Sequence, residues 1–578
     1  MNQTRVFLLI AWLMVATLLW MEWGKEQEAA KAPAPVASAT TVGAVPGAVS
    51  APGAIPAAPQ DVQSATPQRT TAAATAARTG ETVTVTTDVL RTTLDGGSVQ
   101  SAELLKYPAE AKKPEAGNVH LFDPTAARFF EAQSGWVSST GAAPNHETGF
   151  VPEGTARTYE LKPGADSVSV PFVWTGANGV TIRRTYTFQR GGYAVGVRDE
   201  VTNNGATNWQ GHVYRQLMRN PPPQKSGYTN PEALAFHGAA WYSPQDKYDK
   251  RKYEKIAGDI KLDEDAPDGQ KDVQGGWIAL LQHYFFAAWI PGATDQTKFS
   301  LATSQDAGTM RYVVRSLGPG VNVAPGGHAE TSARLWVGPK LVNQIEAQHV
   351  PGLTRAVDFS SYTTMSIIAD WLFWILTKIH AVLGNWGWSI ICLVVLIRLL
   401  LYPIASKQFQ SMAKMRKLAP RMQQLKERYG DDRQKLQMAT MELYKKEKVN
   451  PAAGCLPILI QMPIFLALYW MLSESVELRH APWLGWVQNL SAPDPFFILP
   501  VLNILIMWTT QRLTPMTGMD PTQQKMMQLM PLVIGVTMIF FPAGLVLYWV
   551  TNGALGLLQQ WTMLKRFDHL SKPDPKAA

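Results

Sequence analysis

The sequence has few cysteines, few charges and none of the common enzyme motifs. Only two of its 578 residues are cysteines, and both Cys392 and Cys455 lie in apolar runs, which excludes a disulfide-stabilised secreted scaffold. Only 17% of residues are charged and 46% are apolar, which excludes a disordered chain. HExxH, GxSxG, P-loop, GxGxxG and CxxC motifs are missing, and the histidines are not at metal-ligand spacing. The sequence therefore predicts no catalytic residue, no metal site and no cofactor.

The formal net charge of +8 is concentrated in one short segment. Residues 405–450 contain 12 basic and 5 acidic side chains, whereas residues 24–360 contain 31 basic and 32 acidic ones. A basic domain would point to nucleic acid, but here the basicity belongs to a loop. We therefore predict no direct, sequence-specific binding of nucleic acid.

Uncharged apolar runs predict an integral membrane protein with six transmembrane helices, centred near residues 14, 395, 464, 503, 534 and 553. One crossing needs about 20 residues, and the uncharged stretch 526–564 is long enough for two, divided at Pro542-Ala543-Gly544. Residues 1–24 are interpreted as a retained anchor, because Trp20 and Trp23 are typical of a membrane interface. The alternative is a cleaved signal peptide, with Ala30-Lys31-Ala32 as the cleavage site.

The region between the first two predicted spans divides into three parts. Residues 25–80 are rich in Ala, Pro and Thr and predict an unfolded linker. Residues 81–345 alternate polar and apolar side chains between glycine-rich turns, which predicts a large antiparallel β-sandwich. Residues 362–384 predict an amphipathic helix on the membrane surface, with Asp370, Thr377 and Lys378 opposite an apolar face. That face is predicted to comprise Ile367, Ile368, Trp371, Leu372, Ile375 and Ile379.

The basic segment 405–450 fixes the predicted orientation, because lysine and arginine concentrate in short cytoplasmic loops. Counting spans from it places both termini, including the tail 566–578, in the cytoplasm and the β-domain outside. Methionines and leucines at helical spacing predict a hairpin of two helices here, the second opened by Asp431-Asp432. The apolar stripe of this hairpin could bind apolar segments or a partner, or it could pack on itself beside anionic lipid.

Arg398 is the most informative single residue. It lies 12 residues after Trp386, about 18 Å along a helix, and therefore in the inner half of the membrane. A guanidinium at that depth costs about 2.5–3.5 kcal/mol, so it should face protein or water unless it snorkels to the headgroups. No acidic residue interrupts the last five spans, but uncharged polar side chains do, which predicts a wet cavity around a lone cation. Those side chains are Gln461, Asn503, Thr509, Thr537, Thr551 and Asn552.

Several motifs in residues 386–565 resemble the YidC membrane protein insertase family. They are Tyr402-Pro403, Ser411-Met412-Ala413-Lys414-Met415-Arg416, Tyr429-Gly430-Asp431-Asp432, Lys448-Val449-Asn450-Pro451, Gln461-Met462-Pro463-Ile464-Phe465, Ser475-Val476-Glu477-Leu478-Arg479 and Pro542-Ala543-Gly544-Leu545-Val546-Leu547-Tyr548. The anchor, linker and outer β-domain are similar to the Gram-negative branch of that family. Val394 and Trp549 depart from its pattern, since relatives often carry Thr and Tyr at these positions.

This resemblance implies a non-enzymatic insertase and chaperone for nascent proteins of the bacterial inner membrane. It implies a five-helix core with a hydrophilic groove that is open to cytoplasm and lipid. It also implies docking of the Sec translocon with its accessory subunits, of the ribosome and of the signal-recognition machinery. The expected groove residues are Arg398, Gln461, Met462, Pro463, Asn503, Thr509, Thr537, Tyr548, Trp549 and Asn552. The expected partner-docking residues are Met412, Met415, Arg416, Lys417, Asp431, Asp432 and Asp520.

Two other functions compete with insertion. A small-solute or anion transporter could use Arg398, but such folds often contain inverted repeats, and none is visible here. An envelope scaffold or sugar-binding protein could use the β-domain, but it would need neither an intramembrane arginine nor a basic hairpin.

Overall fold

The computed structural model describes residues 81–566, apart from 111–112, 148, 223–234, 307, 358, 360–362, 408–409, 411–417, 431, 448–455 and 514–520. The predicted anchor 1–24 and linker 25–80 lie outside the described residues, as does the predicted tail after Arg566.

Residues 83–339 form nineteen described β-strands. They are β1 Val83–Thr86, β2 Leu90–Leu94, β3 Ser98–Pro108, β4 Asn118–Phe122, β5 Phe130–Ser138, β6 Val151–Pro152, β7 Thr158–Glu160, β8 Ser167–Thr175, β9 Val180–Gln189, β10 Ala194–Asn203, β11 Trp209–Arg219, β12 Gly238–Ser243, β13 Lys247–Lys252, β14 Lys271–Gln274, β15 Trp277–Leu281, β16 Phe285–Pro291, β17 Gln296–Asp306, β18 Thr309–Val323 and β19 His328–Pro339. Side chains alternate between buried and accessible along strands such as β9 and β10, as the sequence pattern predicts for sheets with one covered face.

The strands form two sheets that share one hydrophobic core. One sheet runs β14-β17-β18-β11-β5-β3-β2-β1-β7, with β4 also paired to β3. The other runs β13-β12-β15-β16-β19-β10-β9-β8-β6. All described pairings are antiparallel except β1 with β7, so the predicted β-sandwich is confirmed. Trp136 on one sheet donates to Asp199 on the other at 2.8 Å, which ties the two layers together.

Ten α-helices are described. They are α1 Tyr253–Gly258, α2 Val342–Glu346, α3 Thr363–Leu383, α4 Trp386–Leu400, α5 Ala419–Tyr429, α6 Arg433–Lys446, α7 Leu456–Glu474, α8 Ile498–Leu513, α9 Pro521–Thr537 and α10 Ala543–Arg566. Short 3-10 helices cover Pro114–Ala116, Leu353–Val357, Val476–Leu478 and Met538–Phe540. Within the described residues, one helical stretch, Met365–Leu383, is long and apolar enough to cross a membrane. Three further apolar helices are shorter: Trp386–Leu400, Ile498–Leu513 and Lys525–Phe540.

Helix α3 packs four of the six residues predicted for its apolar face against the core and leaves the other two exposed. Ile368, Leu372, Ile375 and Ile379 pack against the core as expected, together with Ala369, Phe373 and Leu376. Ile367 and Trp371 were predicted on this face but are 51% and 64% exposed. The helix packs against both α4 and α7, and this packing selects the buried stripe. A second apolar surface is therefore left facing outward, which suits contact with lipid.

Helix α10 is the centre of the helical core, since it packs against α4, α7 and α8. Helix α9 packs against α8. Helices α7 and α9, by contrast, are not a closely packed pair within the described segments.

The β-domain is joined to the end of α7 by polar contacts. His283 Nε2 lies 2.8 Å from the carbonyl oxygen of Ser473, and the Lys340 ammonium lies 4.0 Å from the Glu474 carboxylate. Arg479 donates to the carbonyl oxygen of Ala109 at 3.1 Å. Burial lowers the pKa of His283 to about 3, so this imidazole stays neutral and the contact is a hydrogen bond rather than an ion pair.

Candidate functional site

Arg398 lies in the last turn of α4, a helix whose start is well defined by the sequence. Asn385 caps it, its side-chain oxygen accepting from the backbone N–H of Trp388 at 3.1 Å. Apolar side chains such as Ile390, Leu393 and Val394 are buried along the helix. A cation in the last turn is favoured by the negative end of the helix dipole, so Arg398 suits its position electrostatically.

The guanidinium of Arg398 binds uncharged polar groups of α10. Its Nε donates to the side-chain oxygen of Asn552 at 2.8 Å, and its Nη2 donates to the carbonyl oxygen of the same residue at 2.8 Å. Its Nη1 lies 3.4 Å from the amide oxygen of Gln559. Gln461 on α7 donates to the Asn552 side chain at 3.0 Å. We call Arg398, Gln461, Asn552 and Gln559 the Arg398 cluster.

The structure thus brings three of the sequence-predicted residues together and adds a fourth. Gln559 was missed by the sequence analysis, although a signal for it exists. Asn552, Gly556 and Gln559 stand at positions i, i+4 and i+7 of one helix and therefore on one face. Gly556 makes the close approach possible, because a Cβ there would lie 3.0 Å from Arg398 Nη2.

The charge of Arg398 has no acidic partner. Within the described residues no carboxylate lies within 4 Å of its guanidinium, and its hydrogen bonds all go to amide oxygens. The Nε2 atom of Gln559 is buried and has no hydrogen-bond partner among the described residues. The cluster therefore offers a positive charge and a spare donor to an incoming group. The hydrogen bonds to α10 also argue against snorkelling to the headgroups.

Tyr548 and Trp549 precede Asn552 on α10 by about one turn. Tyr548 is buried beside Gln461, and its ring stacks against that of Phe465 with centroids 6.3 Å apart. Trp549 meets the same Phe465 ring edge-on at 4.9 Å. Val394 is 1% exposed, so this departure from the family pattern lies in packed core rather than on an open surface.

The remaining predicted groove residues are not hydrogen-bonded to the cluster. Asn503 is buried, and its amide donates to the sulfur of Met538 at 2.9 Å. The hydroxyls of Thr509 and Thr537 are exposed and donate to carbonyl oxygens of their own helices, at 2.7 Å each. Their roles in a groove stay predictions.

Met462 and Pro463 lie on α7 next to Gln461. Met462 is 47% exposed, whereas Pro463 is half-buried inside the helix. Thr537, at the end of α9, is exposed as well. Met462 and Thr537 thus lie on different helices, α7 and α9, and both are exposed.

The outer end of the helical core is closed by backbone contacts. Ala543 and Gly544, at the start of α10, donate to the carbonyl oxygens of Ala492 and Leu490 at 2.7 and 2.8 Å. Asn385 donates to the carbonyl oxygen of Pro482 at 3.2 Å. These bonds hold the segment between α7 and α8 across the outer ends of α4 and α10.

Of the predicted partner-docking residues, the structure describes Asp432. Its side chain caps α6, accepting from the backbone N–H of Lys435 at 3.1 Å. This end of the second hairpin helix is as predicted, and α5 and α6 pack against each other. The other six residues, Met412, Met415, Arg416, Lys417, Asp431 and Asp520, lie outside the described residues. The described residues contain no group of three His, Cys, Asp or Glu side chains that could hold a metal.

Comparison with known proteins gives matches over nearly the whole chain. Residues 82–375 match the family described as "YidC periplasmic domain", and residues 378–570 match "60Kd inner membrane protein". The "Membrane protein insertase YidC" of Xanthomonas campestris pv. campestris is 54% identical over 580 residues, covering 99% of this chain and 98% of that one. The protein of the same name from Stenotrophomonas maltophilia is 53% identical over 581 residues, covering 100% and 98%. A crystal structure of an active YidC insertase is 18% identical with a TM-score of 0.35, covering 83% of this chain and 92% of that one.

Proposed function

Because this chain belongs to the YidC family of membrane protein insertases, it inserts proteins into the inner membrane, and we propose that it does so through the Arg398 cluster. Its β-domain is the periplasmic domain of that family, and its work requires no covalent chemistry. Its clients are nascent membrane proteins.

The proposed topology has six transmembrane helices. The first is the anchor within residues 1–24, and the others are α4, α7, α8, α9 and α10. Both termini and the hairpin of α5 and α6 are cytoplasmic. The support for this orientation is the net charge of +7 in residues 405–450, since basic residues of short loops stay on the cytoplasmic side.

Helix α3 lies on the periplasmic surface in this proposal, although its length would allow a crossing. A crossing by α3 would invert every later span and put the basic segment 405–450 outside. Asp370 and Lys378 in the helix would also add charges to the hydrocarbon layer. A surface position keeps both charges near water, while exposed Ile367 and Trp371 contact lipid.

The proposed mechanism uses the Arg398 cluster to lower the barrier for a polar client segment. Each unsatisfied polar group costs several kcal/mol in hydrocarbon, so an unaided polar segment rarely enters the bilayer. Arg398 and the free donor of Gln559 give carboxylates and backbone carbonyls of the client a transient partner. Because the partners of Arg398 are neutral, an acidic client group does not have to displace another carboxylate.

The apolar segment of the client leaves the protein between α7 and α9. The exposure of Met462 on α7 and of Thr537 on α9 supports this route. Burial of the apolar segment in lipid supplies the driving force, at about 25 cal/mol per Å². The outer contacts of Ala543 and Gly544 keep the path closed to the periplasm.

The hairpin of α5 and α6 is the proposed docking region for the ribosome, the targeting machinery, the Sec translocon and anionic lipid. Met438 and Met441 of α6 are exposed, and flexible methionines suit contacts with varied apolar surfaces. Basic side chains around them suit acidic partners and lipids. Asp520 is assigned to the same role from the family resemblance alone.

The proposed route is tested by crosslinking a client that is stalled in mid-insertion. A photoreactive residue is placed at Met462, at Thr537 or, as a control, at exposed Glu160 of the β-domain. We expect the client's apolar segment to crosslink to the first two positions and not to position 160. Crosslinks confined to the β-domain would contradict insertion through the helical core and favour a scaffold.

A further inference from the structure

A cavity of about 390 Å³ lies between the periplasmic domain and α3, away from the Arg398 cluster. Its walls come from β13, α2, the 3-10 helix Leu353–Val357 and α3. The volume lies within the usual range for small-molecule sites. Nothing in the proposed insertion mechanism uses this cavity.

The cavity is lined by charged residues of both signs. Arg355 donates to the hydroxyl of Ser366 at 3.0 Å across the junction between the domain and α3. Glu346 and Asp370 line the same space, and the carboxylate of neither forms a hydrogen bond or salt bridge with another described residue. Both Arg355 and Glu346 lie close enough to Asp370 to act on its charge. Asp249 and Lys250 of β13 also line the cavity, and the Lys250 ammonium lies over the ring of Phe236, 4.6 Å from its centroid. The α2, 3-10 helix and α3 side of the cavity thus presents the Glu346 and Asp370 carboxylates beside the Arg355 guanidinium.

One rim of the cavity continues into the outward apolar surface of α3. Trp374 lines the cavity and is 55% exposed. Its ring meets that of Trp371 with centroids 6.0 Å apart, and Ile367 is exposed on the same helix. Exposed tryptophans of this kind are typical of the membrane interface, where one side of the ring is apolar and the other wet.

We propose that this cavity binds the headgroup of a phospholipid that carries a primary amine. The ammonium group lies between Glu346 and Asp370, the phosphate lies against Arg355, and the acyl chains leave over Trp374. A primary ammonium has three donors for the two carboxylates, whereas a trimethylammonium has none. The proposal rests on the surface position of α3 proposed above, but it does not depend on the Arg398 cluster.

A bound lipid of this kind would connect the periplasmic domain, α3 and the outer leaflet. Arg355 belongs to the domain side and Asp370 to the helix, so one headgroup would bridge both. The lipid would then fix the depth of α3 in the interface.

The test uses the full chain in nanodiscs of phosphatidylcholine that contain a trace of photoactivatable lipid. The probe is phosphatidylethanolamine in one arm and phosphatidylglycerol, which has no amine, in the other. We expect labelling of peptides from residues 342–377 to be about tenfold stronger with the amine lipid. Equal labelling by both lipids would overturn the proposal.

Variants locate the site. The double change Glu346→Gln and Asp370→Asn is expected to lower labelling by the amine lipid about tenfold, and each single change by less. Glu160→Gln, at an exposed carboxylate outside the cavity, is the matched control. Unchanged labelling in the double variant would overturn the proposal. If the double variant does not fold, the single variants are measured instead, and unchanged labelling in both would overturn the proposal.

Two further measurements separate this proposal from its alternatives. Soluble glycerophosphoethanolamine should compete poorly with the lipid for the cavity. Competition at equal concentration would mean that the cavity binds a soluble amine, and would overturn the assignment to lipid.

Insertion of a client by the double variant should change less than about twofold, because the cavity lies apart from the Arg398 cluster. Loss of insertion with full lipid labelling would contradict that separation.

Discussion

Arg184 in the periplasmic domain and Arg398 in the helical core both occupy interior positions, and their partners differ. Arg184 in the periplasmic domain is fully buried and donates to both carboxylate oxygens of Asp199 at 2.7 Å. Burial alone would lower the pKa of Arg184, but Asp199 raises it above the ordinary value. Arg398 in the helical core is half-buried and binds amide oxygens instead. The first charge is neutralised within the fold, whereas the second has no carboxylate within 4 Å among the described residues.

The two arginines contrast a charge that is paired within the fold with one that the proposed function requires to stay unpaired. A buried ion pair with full hydrogen bonding holds two sheets in one arrangement, and removing either partner leaves an uncompensated charge. A cation among neutral groups is less stable but can exchange partners. The distinction makes several predictions, beginning with the largest effect.

Replacing Asp199 by Asn breaks the pair in the periplasmic domain while keeping its shape. Arg184 then stays buried with its charge uncompensated, so we expect the domain to lose about 3–5 kcal/mol of unfolding free energy. Thermal unfolding of the full chain in detergent measures the loss. Glu330→Gln is the matched control, since it breaks the exposed pair with Arg198 next to Asp199 and should cost under about 1 kcal/mol. Equal losses of unfolding free energy in the two variants would contradict the expectation that burial makes the Arg184–Asp199 pair more important for stability.

Replacing Asn552 by Asp gives Arg398 a carboxylate partner, as Arg184 has in the periplasmic domain. A carboxylate would stand within hydrogen-bond distance of Arg398 and neutralise it, so we expect insertion of a client to fall about tenfold without loss of folding. Insertion into proteoliposomes measures this effect. Asn552→Leu removes the hydrogen bond and leaves the charge, and it should retain more activity. If the leucine variant were the weaker one, hydrogen bonding rather than charge would be the function of the cluster.

Adding a methyl group at Gly556 shifts Arg398 without changing any charge. The new Cβ would stand 3.0 Å from Nη2, so the guanidinium must move by a few tenths of an ångström, and we expect insertion to fall about twofold to threefold. Gly553→Ala is the control on the same helix, because its Cβ would make a similarly close contact, 2.9 Å from Cγ2 of Ile506, that does not involve Arg398. Both variants gain similar helix propensity, so a difference between them reports on Arg398.

The junction between the two halves gives the smallest effect, a dependence of stability on pH. Burial raises the pKa of Glu477 to about 7, from 4.5 in the unfolded chain. The folded state therefore binds this proton more tightly than the unfolded chain does. The resulting contribution to folding stability is complete below about pH 4.5 and is lost as the pH rises through about 7. Glu477→Gln should unfold at a higher temperature than the wild type by a few degrees at pH 8, with little difference at pH 4.5. A difference that does not vary with pH would contradict this assignment.

The sequence predicts much of this architecture because the relevant signals are local. Alternation along Ser167–Thr175 and Val180–Gln189, with a glycine turn between, predicts a hairpin that the structure contains. Arg398 is recognisable because a charge in an apolar run is rare. The capping role of Asp432 follows from its place before α6.

The features missed by sequence analysis depend on contacts between distant residues. The pairing of Trp136 with Asp199, and of His283 with Ser473, joins elements that are 63 and 190 residues apart. Which face of α3 is buried depends on α4 and α7, so the exposure of Trp371 could not be read from its helical period. Gln559 was missed because glutamines such as Gln559 and Gln560 near the end of a helix are common. Its place in the Arg398 cluster follows only from its contact with Arg398, which lies on another helix.

The central claim is that Arg398 acts through its free charge, and one measurement tests it most directly. Purified wild type, Arg398→Lys and Arg398→Glu are reconstituted in proteoliposomes, and insertion of a single-span client with an acidic tail is measured for each. We expect Arg398→Lys to retain most of the activity and Arg398→Glu to lose at least about tenfold, because the reversed charge repels the tail. Equal activity of the two variants would contradict the account.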